Sequence, residues 1–174
     1  EVITKGSRIG IVGMNGAGKS TLVKLICGVL EPSVGCVERS ARTAPYLFQQ
    51  HQIDALDGTQ TCVEAIESSA AQTVTGLQVR SALGAFGISG DDAFKKIEVL
   101  SGGEKARVAL TKALMRPVNL IVLDEPTNHL DMPSKHLLQQ ALQDYDGSII
   151  VISHDRRFLN QVCSQIWGIE AGKV

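Results

Sequence analysis

No apolar run in this chain approaches the ~20 residues that span a bilayer. The opening Glu1-Val2-Ile3-Thr4-Lys5-Gly6 has no apolar core of a secretory signal. Charge of neither sign is in real excess: 17 Lys and Arg against 18 Asp and Glu leave a formal net charge of −1. Nothing global therefore draws the chain to nucleic acid or to an anionic membrane. The four cysteines, Cys27, Cys36, Cys62 and Cys163, show neither C-x-x-C nor Cys/His ligand spacing. Incidental thiols in a reducing, cytoplasmic compartment are expected, not a disulfide framework or a zinc site. His51, His129 and His136 form no metal-ligand pattern. An initiating Met is also missing, which fits a fragment or excised domain. No internal repeat or low-complexity tract is present. What remains is 174 residues, 44% hydrophobic and 20% charged. This is an ordinary globular balance, with enough chain for one domain that buries its own core.

Gly13-Met14-Asn15-Gly16-Ala17-Gly18-Lys19-Ser20 is the stretch around which the rest is organised. It follows the apolar run Arg8 to Val12 and opens the apolar segment Leu22 to Leu30, which is the strand–loop–helix context required of G-x-x-x-x-G-K-[ST]. Glycines let the backbone curl with its N–H groups inward, as a nest for phosphate oxygens. The following helix adds free N–H groups, with Thr21 in its first turn, and its positive dipole end. Lys19 can reach the β- and γ-phosphates, and the Ser20 hydroxyl can meet Mg²⁺.

Further along, strands and helices alternate. Cys36-Val37-Glu38 and Thr43 to Phe48 read as short extended runs, with Pro45 keeping the second at an edge or irregular. Helical periodicity runs from about Thr61 to Phe86, with Val79, Ala82, Leu83 and Phe86 on one face. It returns after Leu100-Ser101-Gly102-Gly103-Glu104, with Ala106, Ala109, Leu110, Ala113 and Leu114 as a stripe that Pro117 stops. Leu120 to Leu123 and Ser148 to Ile152 are continuous apolar runs, as in strands buried on both faces of a parallel sheet. A helix from about Ser134 to Tyr145 lies between them. A short helix and a strand near Ile166 to Ile169 follow. The expected fold class is α/β with a largely parallel sheet, and the helical stretch 60–116 is a candidate subdomain.

Asp124-Glu125 stands at the carboxyl end of a buried strand, where open α/β sheets bind ligands. Asp124 is placed to hold Mg²⁺ directly or through water, and Glu125 to polarise a water attacking the γ-phosphate. The bland alternative is two acids opening a loop before Pro126. Ser101, Gly102 and Gly103 open a helix and offer a hydroxyl and free N–H groups to phosphate, while Ser101 and Glu104 also form a capping-box pattern.

Taken in order, Gly13 to Ser20, Leu100 to Arg107, Leu120 to Asp131 and Ser153-His154-Asp155-Arg156 resemble the phosphate loop, signature, Walker B and switch-histidine motifs of an ATP-binding cassette (ABC) domain, a P-loop NTPase fold. Asp124-Glu125-Pro126-Thr127-Asn128-His129-Leu130-Asp131 is similar to the ABC-F subfamily, soluble tandem-cassette ATPases that act on ribosomes; transporter cassettes usually carry another residue where His129 stands. Gly87-Ile88-Ser89-Gly90-Asp91-Asp92 looks more like the second cassette of such proteins than the first. The resemblance implies ATP and Mg²⁺ as ligands and a second cassette in head-to-tail arrangement. It further implies a full-length protein that engages the ribosome, and no membrane. Ser101 to Glu104 would then serve the partner's ATP. Gln50 resembles the Q-loop glutamine that contacts Mg²⁺ and the attacking water, with Gln49 one residue away. His154 resembles the switch histidine near the γ-phosphate. Asp131 resembles the D-loop aspartate, or is an N-cap or turn residue before Met132-Pro133. The aromatic on which cassettes stack the adenine has no counterpart among the 18 residues before Lys19, so it and its strand are expected to lie outside this chain. A transporter's ATP-binding subunit, or an ATP-gated assembly module with little turnover, stays open as an alternative.

Overall fold

The computed structural model describes residues 1–128 and 130–170, so His129 lies outside the described residues. These residues fall into two compact units. The first comprises Glu1–Gln49, Val118–Pro126 and the chain from Tyr145 onward; the second comprises Gln50–Pro117 and Thr127–Asp144.

The first unit is a five-stranded sheet in the order β2-β3-β4-β1-β5. Its strands are β1 (Arg8–Gly13), β2 (Pro45–Phe48), β3 (Leu120–Asp124), β4 (Ser148–Ile152) and β5 (Gln165–Ile169). Every pairing is parallel. The two central apolar runs are buried as their composition requires: β4 is buried throughout and β3 up to its last residue, Asp124. Pro45 opens β2, and β2 is an edge strand, where its missing N–H costs no ladder bond. On one face, Ile9, Ile11, Leu120, Val122, Ile150 and Ile152 pack with Val23 of α1 (Lys19–Cys27). The short helix α7 (Arg156–Val162) buries Phe158, Leu159 and Val162.

The second unit is helical. Its elements are α2 (His51–Asp54), α3 (Cys62–Glu67), α4 (Gly76–Ala85), α5 (Gly102–Leu114) and α6 (Met132–Asp144), with 3₁₀ turns at Gly90–Phe94 and Ile97–Val99. Its core joins Cys62, Ala65 and Ile66 of α3 to Val79 and Leu83 of α4, to Ile97 and Leu100 ahead of α5, and to Val108 within α5.

Two expectations are corrected. The periodic stretch 61–86 is not one helix but two. Ser68 and Ser69 turn their hydroxyls back onto the carbonyls of Ala65 and Ile66, at 2.8 and 3.2 Å. A second start signal follows, where Thr75 and Gln78 form a full capping box. Cys36 to Glu38 form no strand. The run is three residues long, and no described strand pairs with it, so its β-propensity has no ladder to join.

Candidate functional site

All parts of the first-unit site stand at the carboxyl ends of adjacent parallel strands. Ile152 of β4 is level with both Ile11 of β1 and Asp124 of β3. The segments that follow these three strands therefore leave the sheet at one height, within about 10 Å across two strand spacings. The Gly13–Ser20 loop, Asp124-Glu125 and Ser153-His154 are brought together in this way.

The loop has the backbone its glycines were expected to supply. Gly16 and Gly18 have φ of 80° and 99°, values that other residues adopt only with strain. Gly13 is required for another reason: a Cβ there would lie 2.6 Å from the carbonyl oxygen of Ile169. No side chain caps α1, whose N-cap is Gly18, so the first-turn N–H groups stay available to an anion. Lys19 folds over the loop, its Nζ donating to the carbonyls of Gly13 and Met14 at 2.8 and 2.9 Å. Met14, Asn15, Ser20 and Thr21 are exposed, and Ala17 is half-buried. A cleft of about 770 Å³ beside the loop is lined by Gly13, Met14, Ala17, His154 and Arg156, among others.

Glu125 carries the local strain. It is the one non-glycine residue with positive φ (52°) among the described residues, and its N–H is held by the carbonyl of Ile152 at 2.9 Å. Such outliers persist only where the surroundings over-determine them, and they cluster at functional sites. Its Oε1 is buried without a hydrogen bond, yet lies 3.4 Å from His154 Nε2, close enough for electrostatic attraction but not aligned as a bond. Burial pushes the Glu125 carboxyl above its usual range; His154 and, more weakly, Lys19 pull it back, and the nearby Asp124 charge pushes it further up. A carboxylate of raised pKa is a better proton acceptor near neutral pH.

Asp124 accepts a hydrogen bond from Gln49 Nε2 at 3.3 Å. Sequence reading placed Gln50 at this site and held Gln49 as its one-residue alternative. Phe48, the last residue of β2, pairs with Leu123, so Gln49, which follows it, stands beside Asp124. Gln50 takes the N-cap position of α2 with helical backbone angles. Residues that could hold a cation here are Asp124 and, through its hydroxyl, Ser20, and no described group of three or more His, Cys, Asp or Glu could hold a metal. That donor set fits Mg²⁺ bound by one carboxylate together with substrate phosphates, not a dedicated protein cage.

The second unit holds the remaining expected residues. Ser101 caps α5 in a complete capping box: its N–H and hydroxyl donate to Glu104 Oε2 at 2.8 and 2.6 Å, and Glu104 N–H returns a bond to Ser101 Oγ at 3.3 Å. Those bonds hold the Glu104 carboxyl below its usual range. Ser101 and Gly102 are exposed. Asp131 caps the start of α6, its Oδ1 accepting the Ser134 N–H at 2.9 Å, so its turn role is realised.

Known proteins share this arrangement. A family model described as ABC transporter matches residues 2–128. The chain is 42% identical over 171 residues to ABC transporter F family member 5 of Arabidopsis thaliana, covering 98% of this chain and 25% of that one. It thus spans about a quarter of the curated relatives it matches. Among solved structures, a chain in the complex of the archaeal ribosomal stalk protein aP1 with the archaeal ribosome recycling factor aABCE1 superposes with a TM-score of 0.80, at 30% identity over 98% of this chain and 34% of that one. A dimeric bacterial ABC transporter cassette gives a TM-score of 0.79 at 23% identity, covering 100% of this chain and 85% of the other, and supports the fold alone. No helix among the described residues is long and apolar enough to cross a membrane. Sheet order, phosphate loop and family match agree that the chain belongs to the ABC transporter family, whose cassettes are ATPases.

Proposed function

We propose that this cassette binds ATP with Mg²⁺ on the Gly13–Ser20 loop and hydrolyses it, as part of a cytoplasmic ABC-F protein acting on the ribosome. The observation that carries the reading is the convergence of Lys19, Asp124, Glu125 and His154 at level strand ends. The loop N–H groups from Gly13 to Thr21 cradle the phosphates, and Lys19 turns from its loop carbonyls toward the β- and γ-phosphates. Ser20 and Asp124 would hold Mg²⁺, which offsets charge on the phosphate oxygens when bound. Glu125 takes the proton of a water attacking in line with the γ-phosphate, while His154 holds the Glu125 carboxylate and faces the leaving charge. Gln49 fixes Asp124, and Gln50, next along the chain, takes the Q-loop role toward the metal and the water.

A complete hydrolytic site takes a second cassette, head to tail, whose signature segment closes over this nucleotide. Ser101, Gly102, Gly103 and Glu104 serve the partner's ATP in turn, and Asp131 links the two sites. The capping box allows this, because the Gly102 and Gly103 N–H groups at the exposed helix start are not consumed by it. The ribosomal assignment is supported by the ABC-F relatives and by the likeness to a ribosome recycling factor. The test is co-sedimentation of the intact Glu125→Gln protein with ribosomes, with and without ATP. ATP-dependent pelleting is expected. Absence from the ribosomal pellet under both conditions would refute the ribosomal role, and hydrolysis that survives Lys19→Ala would refute the site.

A further inference from the structure

One side chain joins the helix that follows Ser101 to the turn that carries Asp131. Arg107 lies in α5, one turn beyond Glu104, and its Nη1 donates to Ser134 Oγ at 3.1 Å. Ser134 is 2% exposed, and its backbone N–H is the one bound by Asp131 Oδ1. The contacts thus run from the signature helix through Arg107 and Ser134 to Asp131 within a single unit. The charges agree with this path. Arg107 helps hold Glu104 below its usual range, after the bonds from Ser101, and Asp131 likewise, after the bonds from Ser134. Arg107 Nε is buried without a hydrogen bond. The one hydrogen bond of the guanidinium among the described residues is that from Nη1 to Ser134.

We propose that Arg107 is a positioning residue that locks Asp131 and the Ser101–Gly103 segment into one arrangement, so that both meet the partner cassette together. The inference rests on the proposed function, in which both segments face the partner. Loosening Arg107 should therefore slow turnover while leaving nucleotide binding by the chain's own phosphate loop intact.

The experiment measures kcat, KM, Mg·ATP affinity and melting temperature of the intact protein carrying Arg107→Met, Arg107→Lys, Ser134→Ala, and Arg107→Met with Ser134→Ala. Misplacement by a fraction of an ångström predicts a kcat about tenfold to a hundredfold lower for Arg107→Met. Mg·ATP affinity should stay within about twofold. Arg107→Lys should recover part of the loss, since a point charge replaces only part of a fork. The double variant should be no worse than Arg107→Met, as expected for residues acting through one contact. A kcat for Arg107→Met within about twofold of the parent, or additive losses in the double variant, overturns the proposal. So does a loss of kcat that vanishes when each variant is assayed equally far below its own melting temperature. Should Arg107→Met fail to fold, Arg107→Lys combined with Ser134→Ala completes the same cycle. Lys19→Ala separates the two levels: if it leaves hydrolysis intact, the proposed function fails; if it abolishes hydrolysis while the Arg107 variants keep full kcat, only the role of Arg107 fails.

Discussion

Glu125→Gln alters the chemistry and leaves the shape. The amide keeps the volume and the Oε1 position but cannot accept a proton from water. General-base catalysis is worth roughly 10²–10⁴ in rate, or about 3–5 kcal/mol of barrier at ~1.4 kcal/mol per tenfold. Multiple-turnover phosphate release should fall by that factor while Mg·ATP still binds. The same substitution has a stability signature of opposite sense. Glu125 Oε1 is buried without a hydrogen bond, and burial raises the carboxyl's pKa in the fold. Between the ordinary carboxylate range and that raised value, the folded chain keeps a proton that the unfolded chain releases. The group's contribution is thus favourable at low pH and is lost as pH rises through the raised range. Glu125→Gln does not titrate, so its melting temperature relative to the parent should climb as pH rises from the ordinary carboxylate range through the raised one. The backbone adds a second comparison, since φ at this position is 52°. Glu125→Gly should be more stable than Glu125→Ala by about 1 kcal/mol, some 2–4 °C in melting temperature for a chain of this size. Phosphate release within about twofold of the parent would refute the base assignment. A Glu125→Gln protein that melts below the parent at a pH above the raised range would refute the account of the buried carboxylate.

Three other outcomes are expected. Gly13→Val places a Cβ 2.6 Å from the Ile169 carbonyl oxygen; overpacking should cost about 1–3 kcal/mol, and titration with a fluorescent ATP analogue should show lost binding. Gln49→Ala should raise the Mg²⁺ concentration for half-maximal hydrolysis, because Asp124 loses its 3.3 Å amide partner; an unchanged Mg²⁺ requirement would return that role to Gln50 alone. Tyr145→Phe removes a hydroxyl that donates to the Val118 carbonyl at 2.6 Å, so denaturant unfolding should show a loss of about 1–3 kcal/mol with kcat unchanged.

By itself the sequence determined the features that short spacings encode. The phosphate loop was legible because its glycines, Lys19 and Ser20 act within eight residues, between a strand and a helix that announce themselves by pattern. The apolar runs of β3 and β4 required a parallel sheet, and Asp124-Glu125 had to stand at its carboxyl edge. The capping residues Thr61, Thr75, Ser101 and Asp131 all act three residues ahead, and the sequence reading identified the Ser101 and Asp131 patterns. The tertiary structure alone decided what depends on register between distant segments. Gln49 meets Asp124 across 75 residues because β2 pairs with β3 in one register out of several that would bury the same apolar residues. Arg107 meets Ser134 for the same kind of reason: the bond spans 27 residues and joins two helices whose stripes were each legible but whose relative placement was not. The positive φ of Glu125 has no local signal at all, since Glu does not prefer it. It is imposed by the chain leaving β3 while its N–H is held by Ile152 of β4. Local propensity acts over a few residues, and the geometry that makes the site chemically competent is set by contacts that only the packed sheet and helices create.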